Sequence, residues 1–247
     1  MAVEVLTRAV TVAKSHPFYT GLVAAVLSSV IWTLSDYWEW RSFGTGGTTP
    51  SIAGYLRMTR LRIGRLFGHD DVNDASHLKA TGPCFLPADF PRRAGSRPQI
   101  VSRTLPHREV PGQEELSQAS LARLHSLARR LATAHPDVLD VGPSKTEGGT
   151  GDALYAHRDL PTLNPAALND VVDREIAHVH PAENSLHVFL SEPDARRLVE
   201  GGWGQRFPAK FAPPGWIMVY APRNMGEVEL VEAIVKAAVE WVTELKV

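Results

Sequence analysis

The chain has 247 residues, 44% hydrophobic and 21% charged, a balance that suits one folded domain with an appendage and excludes both a disordered chain and a multi-span membrane protein. A formal net charge of −1 supplies no field that would draw it to nucleic acid, so no nucleic-acid partner is expected. Its single cysteine, Cys84, excludes an intrachain disulfide and a cysteine-rich metal site, and is expected to be a buried thiol.

Residues 18–34 carry no charge and are rich in Leu, Val, Ile and Ala, a run at the lower limit of about 17 residues for crossing a bilayer. Tyr19 and Trp32 sit where interfacial aromatics belong, and residues 36–40, Asp-Tyr-Trp-Glu-Trp, read as an interfacial exit rather than a signal-peptide cleavage site. The sequence therefore predicts one N-terminal transmembrane helix: a membrane anchor over residues 1–40, a folded domain over 41–247, and membrane lipid as one partner. Arg8 and Lys14 before the span, against Asp36, Glu39 and Arg41 after it, give only a small bias toward a cytosolic N-terminus, so the side occupied by the domain stays open.

Residues 44–50, Gly-Thr-Gly-Gly-Thr-Thr-Pro, lack the Lys-Ser/Thr of a phosphate-binding loop and read as a linker. Over residues 55–67, Leu56, Thr59, Ile63, Leu66 and Phe67 recur at helical spacing with Arg57, Arg60, Arg62 and Arg65 on the remaining surface. This is a basic amphipathic helix suited either to anionic headgroups or to solvent. A Pro-, Arg- and Gly-rich stretch over 83–111 holds one β-like run at 99–102. Helical periodicity then returns over 113–134, with Leu116, Leu124, Leu127 and Leu131 as its stripe, until His135-Pro136 ends it.

Short apolar or alternating runs at 153–156, 176–180, 185–190 and 216–220 are predicted strands. A short helix near 192–200 has a glycine stop, and residues 227–244 carry the broad apolar face of a closing helix. Helices grouped before and after clustered strands give the α+β class: a mainly antiparallel sheet packed against amphipathic helices.

Chemistry concentrates in Glu175-Ile176-Ala177-His178-Val179-His180 and Ser185-Leu186-His187-Val188-Phe189-Leu190. If 181–184 is the loop of a hairpin, His180 faces Ser185, His178 faces His187, and alternation puts three imidazoles on one face, opposite Ala177, Val179, Leu186, Val188 and Leu190. Glu175 falls by parity on the apolar side, so its carboxylate reaches the histidines only through a bulge or a strand start that re-aims it, and neither is assumed. Three imidazoles can hold a zinc or iron ion, act as general acid and base, or form a buried polar network. Downstream, Trp203, Gln205 and Arg206 lie in a glycine-rich segment that reads equally as a turn with an anchoring tryptophan. Tyr220, Arg223 and Asn224 end a strand and begin the last helix, where Asn224 reads equally as a helix cap.

Three segments in this order, Arg-Glu-Ile-Ala-His-Val-His at 174–180, Gly-Trp-Gly-Gln-Arg at 202–206 and Tyr-Ala-Pro-Arg-Asn at 220–224, resemble the fungal luciferase family. The likeness extends to the N-terminal anchor, to Gly54-Tyr55, to Arg93-x-Gly95-x-Arg97-Pro98 and to the C-terminal helix. It implies a membrane-associated oxygenase, in the endoplasmic reticulum or another endomembrane, that adds O2 to 3-hydroxyhispidin or a related pyrone enol. Loss of CO2 from a peroxide then leaves an excited caffeylpyruvate and, in luminous members, light. No cofactor beyond O2 is expected, with a metal at His178, His180 and His187 as the alternative. On this reading His178, His180, His187, Arg206 and Arg223 are the catalytic candidates, and Trp203, Gln205, Tyr220 and Asn224 bind a flat pyrone. Two departures stand out: Phe207 replaces a histidine of the luminous members, and Pro181-Ala182-Glu183-Asn184 replaces a loop that holds another. The other readings are a non-luminous, metal-dependent enzyme built on the histidines and a membrane-tethered binding protein.

Overall fold

Proline and glycine placement divides the chain early. His16 precedes a proline and leaves helical geometry, so helix α1 (Ala2–Ser15) stops and α2 (Pro17–Phe43) starts with Pro17 in its first turn. The computed structural model describes residues 2–68, 70–101, 108–113, 115–149, 151–208 and 211–247. Two units result, residues 1–43 and 44–247. Within the first, α2 spans 27 residues and is the one helix among the described residues long and apolar enough to cross a membrane.

In the second unit, helix α3 (Ile52–Phe67) is initiated by Ser51, whose hydroxyl accepts the Gly54 amide. Its buried residues are Gly54, Tyr55 and Met58, while Leu56, Ile63, Leu66 and Phe67 are at least half exposed. The helix is where its periodicity put it, but the expected apolar stripe points outward because the aromatic and thioether side chains of Tyr55 and Met58 occupy the inner face. Residues 44–50 are likewise no free linker. Gly44 and Thr45 are buried, and the hydroxyls of Thr45 and Thr48 each donate to the other's carbonyl at 2.6 Å.

The expected helix over 113–134 is two, α4 (Gln118–His125) and α5 (Leu127–Ala134). Ser117 caps the first by accepting the Ser120 amide, and Ser126 interrupts the run with its hydroxyl bonded to the Arg123 carbonyl; Glu114 lies outside the described residues. Of the β-like run at 99–102, Ile100 makes an isolated bridge to Glu109, and Ser102 lies outside the described residues. Cys84 is exposed rather than buried. Asp194 accepts the amides of Phe85 and Leu86, turning those side chains inward and leaving the thiol outside.

Six strands follow: β1 (Leu139–Pro143), β2 (Asp152–Ala156), β3 (Glu175–Val179), β4 (Leu186–Phe189), β5 (Gly204–Arg206) and β6 (Trp216–Val219). They form one antiparallel sheet in the order β1-β2-β3-β4-β6-β5. The two strands not anticipated, β1 and β5, are the edges, and each is short and carries Gly or Pro, which weaken the strand signal. Helix α6 (Glu192–Glu200) precedes β5, and α7 (Met225–Thr243), capped by Asn224, closes the fold.

Paired residues share a face of the sheet. Leu154, Ala177, Val188 and Ile217 form one row, and Val179, Leu186 and Val219 the next. Against that face α7 buries Val231, Ile234, Val235, Ala238, Val239 and Val242. At about 1.5–3 kcal/mol for each fully buried Val or Ile side chain, that layer fixes the hairpin register and commits the alternate residues His178, His187, Met218 and Gln205 to the other face.

Candidate active site: a buried histidine and glutamate cluster

The β3–β4 hairpin sets His178 opposite His187, and the His180 amide donates to the Ser185 carbonyl at 2.8 Å. The three imidazoles converge, with ring centroids 5.0–5.2 Å apart, and all are at most 2% exposed. Each ring is held at Nδ1 by a group that accepts. Glu175 Oε1 lies 2.5 Å from His178, Glu183 Oε1 and Ser185 Oγ lie 2.9 and 2.8 Å from His180, and the Ile217 carbonyl lies 3.3 Å from His187. Carboxylate and carbonyl oxygens only accept, so the Nδ1 atoms carry protons, and the Nε2 atoms of His178 and His180 face each other at 3.2 Å.

Glu175 reaches this cluster because of a bulge. Leu154 opposes Ala177, but Tyr155 opposes Glu175, so β3 carries one extra residue, Ile176, and the carboxylate turns to the histidine face. Left-handed backbone at Asp173 and Arg174, φ 40° and 70°, brings the chain into that bulge. The carboxylate is fully partnered, accepting from Ser144 Oγ, Thr146 Oγ1, Tyr155 Oη and the Lys145 amide at 2.8–3.0 Å.

Two further acids and an arginine complete the cluster. The β1–β2 loop brings Glu147 Oε1 to 3.7 Å from His178 Nε2 and 3.6 Å from His180 Nε2. Arg108 pairs with Glu147 and lies 3.6 Å from Glu183. A Cβ at Gly44, whose φ is 116°, would meet that guanidinium at 2.6 Å, so a glycine is needed where the 44–50 segment passes Arg108. Burial alone would depress His178, but Glu175 and Glu147 outweigh it and hold its pKa up at about 9. Burial, with the neighbouring His180 and His178, drives His187 well below its usual value, and Arg108 with the histidines keeps Glu147 low despite burial. The site thus holds strongly perturbed groups side by side.

His187 and Glu147 open onto a cavity of about 540 Å³ walled by Trp216, Phe207, Phe211, Met58 and Leu61, with Gly46 to Thr48 on its rim. Trp216 stacks on His187 at 5.4 Å with an interplanar angle of 16°, and Phe207 packs edge-on against the same ring at 5.4 Å.

The remaining expected site residues gather elsewhere. Trp203 and Tyr220 are 2% and 0% exposed, and Arg93 lies over both rings at 5.9 and 5.4 Å, so the arginine stacks where a flat ligand was expected. Arg97 donates to Tyr220 Oη and the Gly204 carbonyl, and Arg223 pairs with Glu227. Asn224 accepts the Glu227 amide as the cap of α7. Gln205 shares the row of His178 and His187 but lies two strands from His187, about 10 Å at the usual strand spacing, with its amide on Asn73. Arg206 bonds Asp70 and the carbonyls of Asp71 and Asp74, beside a neighbouring cavity. Sequence reasoning missed Glu147, Glu183 and Arg108. Only the pairing of β2 with β3, which sets the loop after β1 beside His178 and His180, brings Glu147 into view.

Comparison with known proteins gives a consistent set of likenesses. The family model described as Luciferase domain matches residues 173–238, from the approach to β3 into α7. A luciferase of Neonothopanus nambi is 31% identical over 221 residues, covering 84% of this chain and 80% of that protein. A luciferase of Armillaria ostoyae is 29% identical over 247 residues, covering 93% and 90%. No solved structure matches the chain at a significant level.

Proposed function

The chain belongs to the fungal luciferase family, and from that premise we propose that it is a membrane-anchored oxygenase acting on 3-hydroxyhispidin or a related pyrone enol. The observation that carries the reading is the buried histidine and glutamate cluster opening, through His187 and Glu147, onto an aromatic-walled cavity large enough for a flat bicyclic ligand.

In this reading the pyrone lies against Trp216, Phe207 and Phe211 with its enol oxygen toward His187 and Glu147. Loss of the enol proton at the cluster leaves an enolate carbon electron-rich enough for O2. O2 adds to that carbon, the peroxide loses CO2, and the proton returns to the product, so one pyrone and one O2 become one caffeylpyruvate and one CO2. Phe207, apolar where luminous members place a histidine, alters that wall beside His187 and makes dark turnover the expected outcome. Helix α2 is the anchor, and the exposed Leu56, Ile63, Leu66 and Phe67 of α3, interspersed with arginines, suit an anionic lipid surface.

The test is O2 uptake with photon counting by the detergent-solubilised full chain given 3-hydroxyhispidin and no organic cofactor. Saturable uptake with matching CO2 release is expected; an absence of uptake with this pyrone and its close analogues would overturn the reading.

A further inference from the structure

The geometry points to a mononuclear site for a divalent transition metal, with His178 Nε2, His180 Nε2 and Glu147 Oε1 as three ligands, His187 as the fourth, and the remaining coordination positions facing the cavity. This inference rests on the reading of the cluster as the reacting centre and names what the cluster holds.

Three distances carry it. The Nε2 atoms of His178 and His180 are 3.2 Å apart, and Glu147 Oε1 is 3.7 Å from the first and 3.6 Å from the second. The point equidistant from three atoms so spaced lies about 2.0 Å from each, the bond length of a first-row ion to imidazole nitrogen and carboxylate oxygen. One ligand atom from His187 completes a set of four within 4.8 Å of one another.

The surrounding hydrogen bonds fit the same purpose. Every Nδ1 is engaged, by Glu175, by Glu183 with Ser185, or by the Ile217 carbonyl, which orients each Nε2 lone pair inward and raises its basicity, as partners of metal-bound histidines do. A purely hydrogen-bonded network fits less well. His187 Nε2 is buried and has no hydrogen-bond partner among the described residues, an orphan that coordination would satisfy.

Charge points the same way. Three buried carboxylates, Glu147, Glu175 and Glu183, surround the histidines with one buried guanidinium, Arg108, beside them. Acid outnumbers base among these named side chains, and a dication bound there would meet that excess where burial makes unpaired charge costly. Imidazoles with one carboxylate select iron(II), manganese(II) or zinc(II) over calcium and magnesium, which prefer all-oxygen sets. A dication there would hold the enolate oxygen of a substrate entering past His187.

The test is metal analysis of the full chain purified without chelator, followed by chelation and titration with cobalt(II), reading visible absorption and thermal unfolding. About one ion per chain is expected, with retention falling in His178→Ala and His180→Ala by more than the roughly 10- to 100-fold that loss of an outer-shell partner costs. Chelated wild-type protein should regain a cobalt–imidazole absorption band and a higher unfolding temperature, which keeps the test valid should the alanine variants fail to fold. Metal below about one ion per five chains, with no band and no thermal shift on titration, would overturn the site whatever the O2 uptake. A loaded chain that consumes no O2 with pyrones would support the site and count against the oxygenase reading alone.

Discussion

Glu175 sits in a strand whose alternation should bury it among aliphatics, yet its carboxylate holds His178 Nδ1 at 2.5 Å and accepts from Tyr155, Ser144 and Thr146. It holds the His178 Nδ1 proton and with it the orientation of the ring. Glu175→Gln keeps the volume but replaces an acceptor oxygen with an amide donor. Activity should therefore fall about 10- to 100-fold with the far-ultraviolet circular dichroism unchanged; full activity in a folded variant would remove Glu175 from the machinery. At this scale the sequence was informative about the histidines and silent about their partners. Strand parity put His178 and His187 on one face correctly, whereas Glu175 depends on a bulge between Leu154 and Tyr155 of a neighbouring strand. Glu147, Glu183 and Arg108 lie in loops whose positions only the assembled sheet defines.

Elements were legible where burial imposes a period. β2, β3, β4, β6, α6 and α7 lie within a few residues of expectation because alternation or helical spacing is enforced by the core beneath α7. The edge strands β1 and β5 were not legible, since few neighbours select their residues. In α3 the period was right and the face wrong, because Tyr55 and Met58 rather than Leu56 and Ile63 turn inward. Helix α2 carries the strongest element-level prediction. Its 27 residues span about 40 Å at 1.5 Å per residue, enough for the hydrocarbon core of a bilayer with turns to spare. Expressed in a eukaryotic cell, the chain should stay with membranes through alkaline carbonate extraction and leave them in detergent; release by carbonate would refute the anchor.

Across the whole molecule, the segments that resemble luciferases serve two places. Glu175, His178 and His180 build the cluster beside the cavity. Trp203, Tyr220, Arg223 and Asn224, with Arg93 and Arg97, form a separate stacked and ion-paired cradle that ties the chain before β5 to the start of α7. Sequence resemblance alone assigned both to one site, because it registers residue identity and not which face of the sheet each residue meets. The claim that function resides at the histidine cavity is tested most directly by steady-state O2 uptake on 3-hydroxyhispidin by wild type, Phe211→Ala and Tyr220→Phe. Phe211 is a half-exposed wall of the cavity, so its loss should raise KM about 3- to 10-fold, the scale of one aromatic contact, while Tyr220→Phe should leave kcat/KM within about twofold. The reverse pattern, with Tyr220→Phe impaired and Phe211→Ala unaffected, would contradict the assignment.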